Sequence, residues 1–150
     1  MIIERAGIED AKEILDLQKL AFKSEAEIYD DYTISPLTQT LEEIETDFEN
    51  QVFLKASADG KIIGSVRAYI KLDTCFIGRL IVHPDFQNQS IGTKLMHEIE
   101  KHFSKTKRFE IFTGYRSMKN IYLYQKLGYR IFKNVPITKD LKFLHMEKCP

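Results

Sequence analysis

The dipeptide Asp59-Gly60 decides the middle of this chain. Both residues tolerate positive φ, as a two-residue hairpin turn requires. The segments on either side read as strands. Val52–Ala56 precedes the turn. After it, Ile62, Val66, Ala68, Ile70 and Leu72 fall on one face, and Ser65, Arg67, Tyr69 and Lys71 on the other. Thr74–Val82 is a further apolar strand, so an antiparallel meander occupies the centre.

Around it the period changes. Ile2-Ile3 opens a strand. Ile8, Ala11, Ile14-Leu15, Gln18 and Phe22 then recur at helical spacing, with Gly7 placed to cap and Asp10 near the first turn. Residues 24–36 break the pattern, and a second helix is expected from Leu37 or Thr38 to about Asn50. Ile91, Leu95, Ile99 and Phe103 align on a third helix, and Phe109–Thr113 reads as a strand. Asn120–Leu127 reads as a helix closed by Gly128, a natural C′ residue. Tyr129–Phe132 and Leu141–Met146 end the chain as strands. The order β α α β β β α β α β β describes an α/β (α+β) chain with helices on both faces of a mixed sheet.

The 150 residues suit one domain spanning 1–150. A hydrophobic content of 43% and a charged content of 29% exclude a disordered chain. No run approaches the ~18 apolar residues of a membrane span. Glu4 and Arg5 interrupt any signal-peptide core, so a cytoplasmic protein without membrane association is expected. Cys75 and Cys149 make neither a disulfide framework nor a zinc site, and no metal is expected. The 22 basic residues balance the 22 acidic ones, so bulk charge does not point to nucleic acid. Their distribution is uneven. Residues 24–54 hold nine acids and no Lys or Arg, whereas 101–150 hold twelve Lys/Arg and three acids.

Chemistry concentrates in Leu80–Met96. A buried strand, Leu80-Ile81-Val82, leads through His83-Pro84 to a polar turn and a helix. The helix begins with small and polar residues, Gln87-Asn88-Gln89-Ser90-Ile91-Gly92-Thr93. The first helical turn offers unpaired N–H groups and the positive end of the dipole, which together suit phosphate. The segment lacks both the Gly-Lys-Ser/Thr of a Walker loop and the three spaced glycines of a dinucleotide fingerprint. His83, next to Pro84, reads as an exposed turn residue.

Leu80-x-Val82-x-Pro84 followed by Gln87-x-x-Ser90-x-Gly92 resembles motif A of the GNAT N-acetyltransferase superfamily. Leu123-Tyr124-Gln125-Lys126-Leu127-Gly128-Tyr129 resembles its motif B, and the element order matches over essentially the whole chain. The resemblance implies a mixed, mostly antiparallel sheet of six or seven strands, with about four helices on both faces. It also implies a V-shaped split between the fourth and fifth strands. Acetyl-CoA is the implied cofactor. Leu80, Ile81 and Val82 would meet its pantetheine arm, and Gln87, Asn88, Gln89, Ser90, Ile91, Gly92 and Thr93 its pyrophosphate. Ser90 stands where the family usually has glycine, and is expected to keep a helical backbone. Ser117 or Asn120 would supply the polar contact of motif B. Lys94 and Lys126 are the first residues to test for the 3′-phosphate.

The implied reaction is direct transfer of an acetyl group to an amine of a small molecule or peptide. The Val82 N–H would be the oxyanion donor and Tyr124 the general acid. Thr74–Val82 contains no Asp or Glu, so the base must come from Glu25, Glu27, Tyr69 or a water chain. Glu25, Glu27 and Tyr29 would face an acceptor, and their charge favours a cationic amine. Arg67 and Arg79 favour a carboxylate, and a zwitterionic acceptor would reconcile the two. The competing expectation is a non-catalytic acyl-CoA-binding regulatory module. Homodimerisation is left open by the resemblance.

Overall fold

In the computed structural model, which describes residues 1–150, Asp59 and Gly60 hold φ of 52° and 77°. They join β2 (Val52–Ala58) to β3 (Lys61–Lys71). A second turn, with Leu72 at φ 57°, leads into β4 (Thr74–Val82). With β1 (Ile2–Arg5) these strands form an antiparallel meander. The sheet continues through β5 (Arg108–Gly114) to β7 (Lys142–Lys148) and β6 (Arg130–Pro136), in the order β1-β2-β3-β4-β5-β7-β6. Only β4 and β5 pair in parallel. That pairing needs a crossover, supplied by α5 (Ile91–His102). After β5, α6 (Met118–Lys126) leads to β6.

Two helical layers cover the sheet. On one face α1 (Ala11–Ala21) and α4 (Leu41–Asn50) bring Ile14, Leu15, Leu17 and Ile44 against Phe53, Ile62 and Ile81. On the other, Ile91, Leu95, Met96 and Ile99 of α5 pack on Leu54, Ile63, Val66 and Ile77, joined by Tyr124 and Tyr129. Each such aliphatic side chain contributes about 1.5–3 kcal/mol when fully buried. Because both faces of β3 are covered, Ile62 to Ala68 are buried without alternation. The expected alternation fails at the far end as well. Leu72 occupies the turn at 90% exposure, and Ile70 is half exposed.

The stretch from 24 to 36 is more helical than its pattern suggests. It holds α2 (Lys23–Tyr29) and the start of α3 (Ser35–Thr38). The helix expected from Leu37 or Thr38 begins at Leu41. Thr40 and Glu43 form a capping box there: Glu43 N–H donates to Thr40 Oγ1 at 3.1 Å, and Thr40 N–H to Glu43 Oε1 at 2.9 Å.

One irregularity positions everything that follows. β4 pairs with β5 only through Thr74–Phe76 and Arg108–Glu110. Beyond those residues the strands diverge and open a V-shaped split. The β3–β4 register also steps, from Arg67 opposite Gly78 to Ser65 opposite Ile81. Arg79 and Leu80 thus face a single residue, Val66. A bulge of this kind bends its strand, and Arg79 takes a positive φ of 49° within it.

Candidate functional site

The split continues into a cleft of about 750 Å³. Beyond Leu80 one side of the split is backbone. His83 N–H donates to the Ile63 carbonyl at 2.8 Å, and Val82 lies opposite Gly64. Ladder bonds alternate along an antiparallel pair, so the N–H and C=O of Val82 point away from β3, into the split. The carbonyl accepts Gln87 Nε2 at 2.8 Å. The N–H is left free.

The turn after β4 adds further donors. The N–H groups of Gln87, Asn88, Gln89 and Ser90 have no partner in the protein, and the first helical bond of α5 runs from Lys94 N–H to the Ser90 carbonyl. The N–H groups of Ile91, Gly92 and Thr93 are therefore unpaired as well, and no side chain caps them. Ser90 does not keep the helical backbone expected of it. It and Asn88 both stand at φ 63°. That left-handed conformation is one glycine enters without steric cost, so a glycine would also suit the position. Such alternation of backbone turns N–H groups toward a common concavity.

Gly92 sits beside this concavity. A Cβ there would meet the side chains of Leu123, Leu80 and Val82 at 3.6, 3.7 and 3.9 Å. Those are ordinary contact distances, so a branched side chain would fill the space between β4 and α6. Leu80 lines the cleft and so links it to this concavity. Ile81 and Ile91 turn their side chains into the core. Lys94 and Lys126 are exposed on α5 and α6. The His83 ring, half buried, accepts the Asp85 N–H at 3.0 Å.

The opposite wall is made of side chains. Tyr124 lines the cleft although only 4% exposed, and its hydroxyl makes no hydrogen bond within the protein. Burial pushes its phenol well above the ordinary value, and the charge of Glu25 adds to the effect. It stays protonated. Glu25, on α2, accepts a short hydrogen bond from the Ser117 hydroxyl. Ser117 Oγ also lies 3.1 Å from Tyr29 Oη, which accepts the Arg116 N–H at 2.9 Å. Gly114 is required here, because a Cβ would overlap the Tyr29 hydroxyl. Ser117, expected along the pantetheine arm, is thus 2% exposed and turned toward α2. Asn120 does line the cleft and donates to Thr113 Oγ1 at 3.3 Å.

Further along, Arg67 is 4% exposed and paired through both terminal nitrogens. It donates to Asp47 Oδ2 at 2.9 Å and to Gln18 Oε1, and lies 4.4 Å over the Phe53 ring. Burial lowers its pKa to about 9, with Arg79 adding to the fall and Asp47 opposing it. Arg79 reaches Gln39 Oε1 at 3.3 Å and Ser35 Oγ at 3.0 Å. Gln39 Nε2 donates to Asp47 Oδ2 at 2.7 Å.

The cleft therefore gathers Glu25, Tyr29, Arg67, Tyr69, Arg79, Leu80, Asn120 and Tyr124. Glu27 is not among them and lies exposed on α2, and Ile81, Val82, the turn residues Gln87 to Thr93 and Ser117 also lie outside the cleft. The sequence reading missed Asp47 and Gln39, and passed over Gln18 while placing it on the apolar face of a helix. That glutamine is fully buried and braces Arg67. A polar side chain at a core position was the available signal.

Residues 11–129 match the acetyltransferase (GNAT) family, and the chain belongs to it. It is 28% identical over 131 residues to the UPF0157 protein YqkA of Bacillus subtilis (strain 168). That match takes in 87% of this chain and 38% of YqkA, so the chain spans little more than a third of its curated relative's length. Among solved structures, smu.2055 from Streptococcus mutans UA159 superposes with a TM-score of 0.85 at 17% identity, over 99% of both chains. The PaiA N-acetyltransferase from Thermoplasma acidophilum, solved in complex with coenzyme A, gives a TM-score of 0.73 at 21% identity over 100% of both chains. These likenesses show the same fold. The free N–H groups of the turn and of Val82, and the space left by Gly92, fit a ligand with phosphates at one end and a carbonyl at the other.

Proposed function

We propose that this chain transfers the acetyl group of acetyl-CoA to a primary amine of a small molecule or peptide, by direct attack in a ternary complex. The observation that carries the reading is the unpaired edge of β4 beside the protonated, unbonded hydroxyl of Tyr124. Acetyl-CoA, when bound, supplies an activated thioester. The N–H groups of Gln87–Thr93 would hold its phosphates, and the edge of β4 its amide-bearing arm. The Val82 N–H would stabilise charge growing on a carbonyl oxygen. Tyr124 would give its proton to the departing sulfur, a task suited to a phenol kept neutral by burial. Glu25 would orient the amine and take its proton, held in place by Ser117. The CoA carried by the PaiA structure supports the assignment of the cofactor. Nothing observed favours a non-catalytic module over an enzyme.

The test is thiol release from acetyl-CoA across a panel of amines. Release that depends on an amine is the expected result. CoA binding with no amine-dependent release from any member would overturn the reading.

A further inference from the structure

The charges lining the cleft fall into two kinds. Arg67 and Asp47 form an ion pair, with nitrogen and oxygen 2.9 Å apart. Glu110 is held by Arg108 at 2.8 Å. Asp31 folds back onto the N–H and hydroxyl of Thr33, at 2.8 and 2.6 Å. Glu25 and Arg79 remain, of opposite sign, neither with a counter-ion. Glu25 lies close enough to Tyr124 for its charge to raise the phenol's pKa. Arg79 stands at the β4 bulge.

Arg79 has the marks of a binding group. A guanidinium carries five N–H donors, and the two partners of Arg79 are both neutral, Gln39 and Ser35. The only carboxylate in that network, Asp47, is already bonded to Arg67 and Gln39. Arg79 therefore has no ion pair of its own, although the charges of Asp47 and Glu43 act on it. The residue also keeps a left-handed φ of 49°, which costs a non-glycine residue energy and is concentrated at functional sites. Near it lies an aromatic wall. Tyr69 and Phe76 stack at 5.3 Å, Phe112 and Phe143 meet at 4.7 Å, and all four line the cleft.

We infer that the acceptor is an amino-acid-like zwitterion with an apolar side chain. Its ammonium lies toward Glu25, its carboxylate is taken by Arg79, and its side chain rests on the aromatic wall. This rests on the acetyltransferase reading and narrows it. It chooses the zwitterionic acceptor over a plainly cationic amine. Glu27, which favoured a plain cation, is outside the cleft, and the Asp31 carboxylate that lines it is occupied by Thr33.

The experiment uses matched pairs, each amino acid against its decarboxylated amine: phenylalanine with phenethylamine, leucine with isoamylamine. The acid should be preferred in kcat/KM by roughly 10- to 100-fold, as expected for a charge-assisted hydrogen bond. R79M should reduce that ratio about tenfold, and a ratio is insensitive to a general loss of active enzyme. Among acids, phenylalanine and leucine should exceed glycine and aspartate. Amines accepted as well as acids would overturn the proposal and leave the acetyltransferase reading intact. Glycine or aspartate preferred over phenylalanine would overturn its apolar part. No transfer to any of these compounds, while another amine of the wider panel still drives thiol release, would overturn the proposal alone; only the absence of release across that whole panel reaches the acetyltransferase reading.

Discussion

The two walls of the cleft are built by different means. On one side the edge of β4 lines the cleft as far as Leu80 and continues past it, through Val82 N–H, into the run of unpaired amides before α5. The wall formed by α2, α3 and β3 offers side chains bonded to one another across the chain, such as Glu25 to Ser117 and Arg67 to Gln18 and Asp47. A backbone wall tolerates many side chains, because its donors belong to every residue. A side-chain wall is particular to its sequence. One fold can thus keep a common donor while its acceptor changes.

The comparison is tested most severely at Tyr124, a side chain of the opposite wall. Tyr124→Phe should lower kcat by about 100- to 1000-fold. Affinity for CoA should hold, and so should the melting temperature, since the hydroxyl bonds to nothing in the protein. Stopped-time assays and calorimetry decide this; a kcat within fivefold of the parent would remove Tyr124 from the role of acid.

A smaller effect is expected in the side-chain wall. Asp47→Asn leaves the buried Arg67 without its carboxylate. Breaking a buried pair costs about 3–5 kcal/mol. Asp47 is 29% exposed, so a loss of about 2–3 kcal/mol in urea unfolding is expected. Acceptor KM should rise and CoA affinity should not. A matching fall in CoA affinity would mean that the walls are not independent.

The least effect is expected from Gly92→Val in the backbone wall. The branched side chain would fill the space bounded by Leu123, Leu80 and Val82. CoA affinity should weaken about tenfold, roughly 1.4 kcal/mol, with acceptor specificity unchanged. Gly92→Ala, whose Cβ meets only ordinary contacts, should be milder. Equal affinities for all three chains would dissociate this turn from CoA.

The same contrast explains what the sequence made legible. The β2–β4 meander follows from Asp59-Gly60 and local alternation, and the Leu80–Met96 segment carries its own signature within seventeen residues. Signals of that kind are short-range. The helices inside 23–38 were missed because α2 is seven residues long, with Ala26 its only buried residue. The side-chain wall was legible only as a list of residue types. Glu25 and Ser117 are 92 positions apart, Gln18 and Arg67 49 apart, and no local period encodes such pairings. The left-handed φ at Ser90 and Arg79 was hidden for another reason. Neither is the glycine that would have announced it, so the surrounding structure must impose the conformation.

The short β4–β5 junction has a consequence for how the chain comes apart. β1 to β4 pair with one another in sequence, and β5, β7 and β6 form a second paired set. Within the sheet, three residue pairs join the two sets. Cooperative units of local unfolding separate where such linkages are few. The cleft runs along that junction, beside the core that the two sets share, and a molecule gripping both sides would stitch it. Part of its binding free energy would then appear as resistance to partial opening, so that the chain is most firmly closed while its cleft is full.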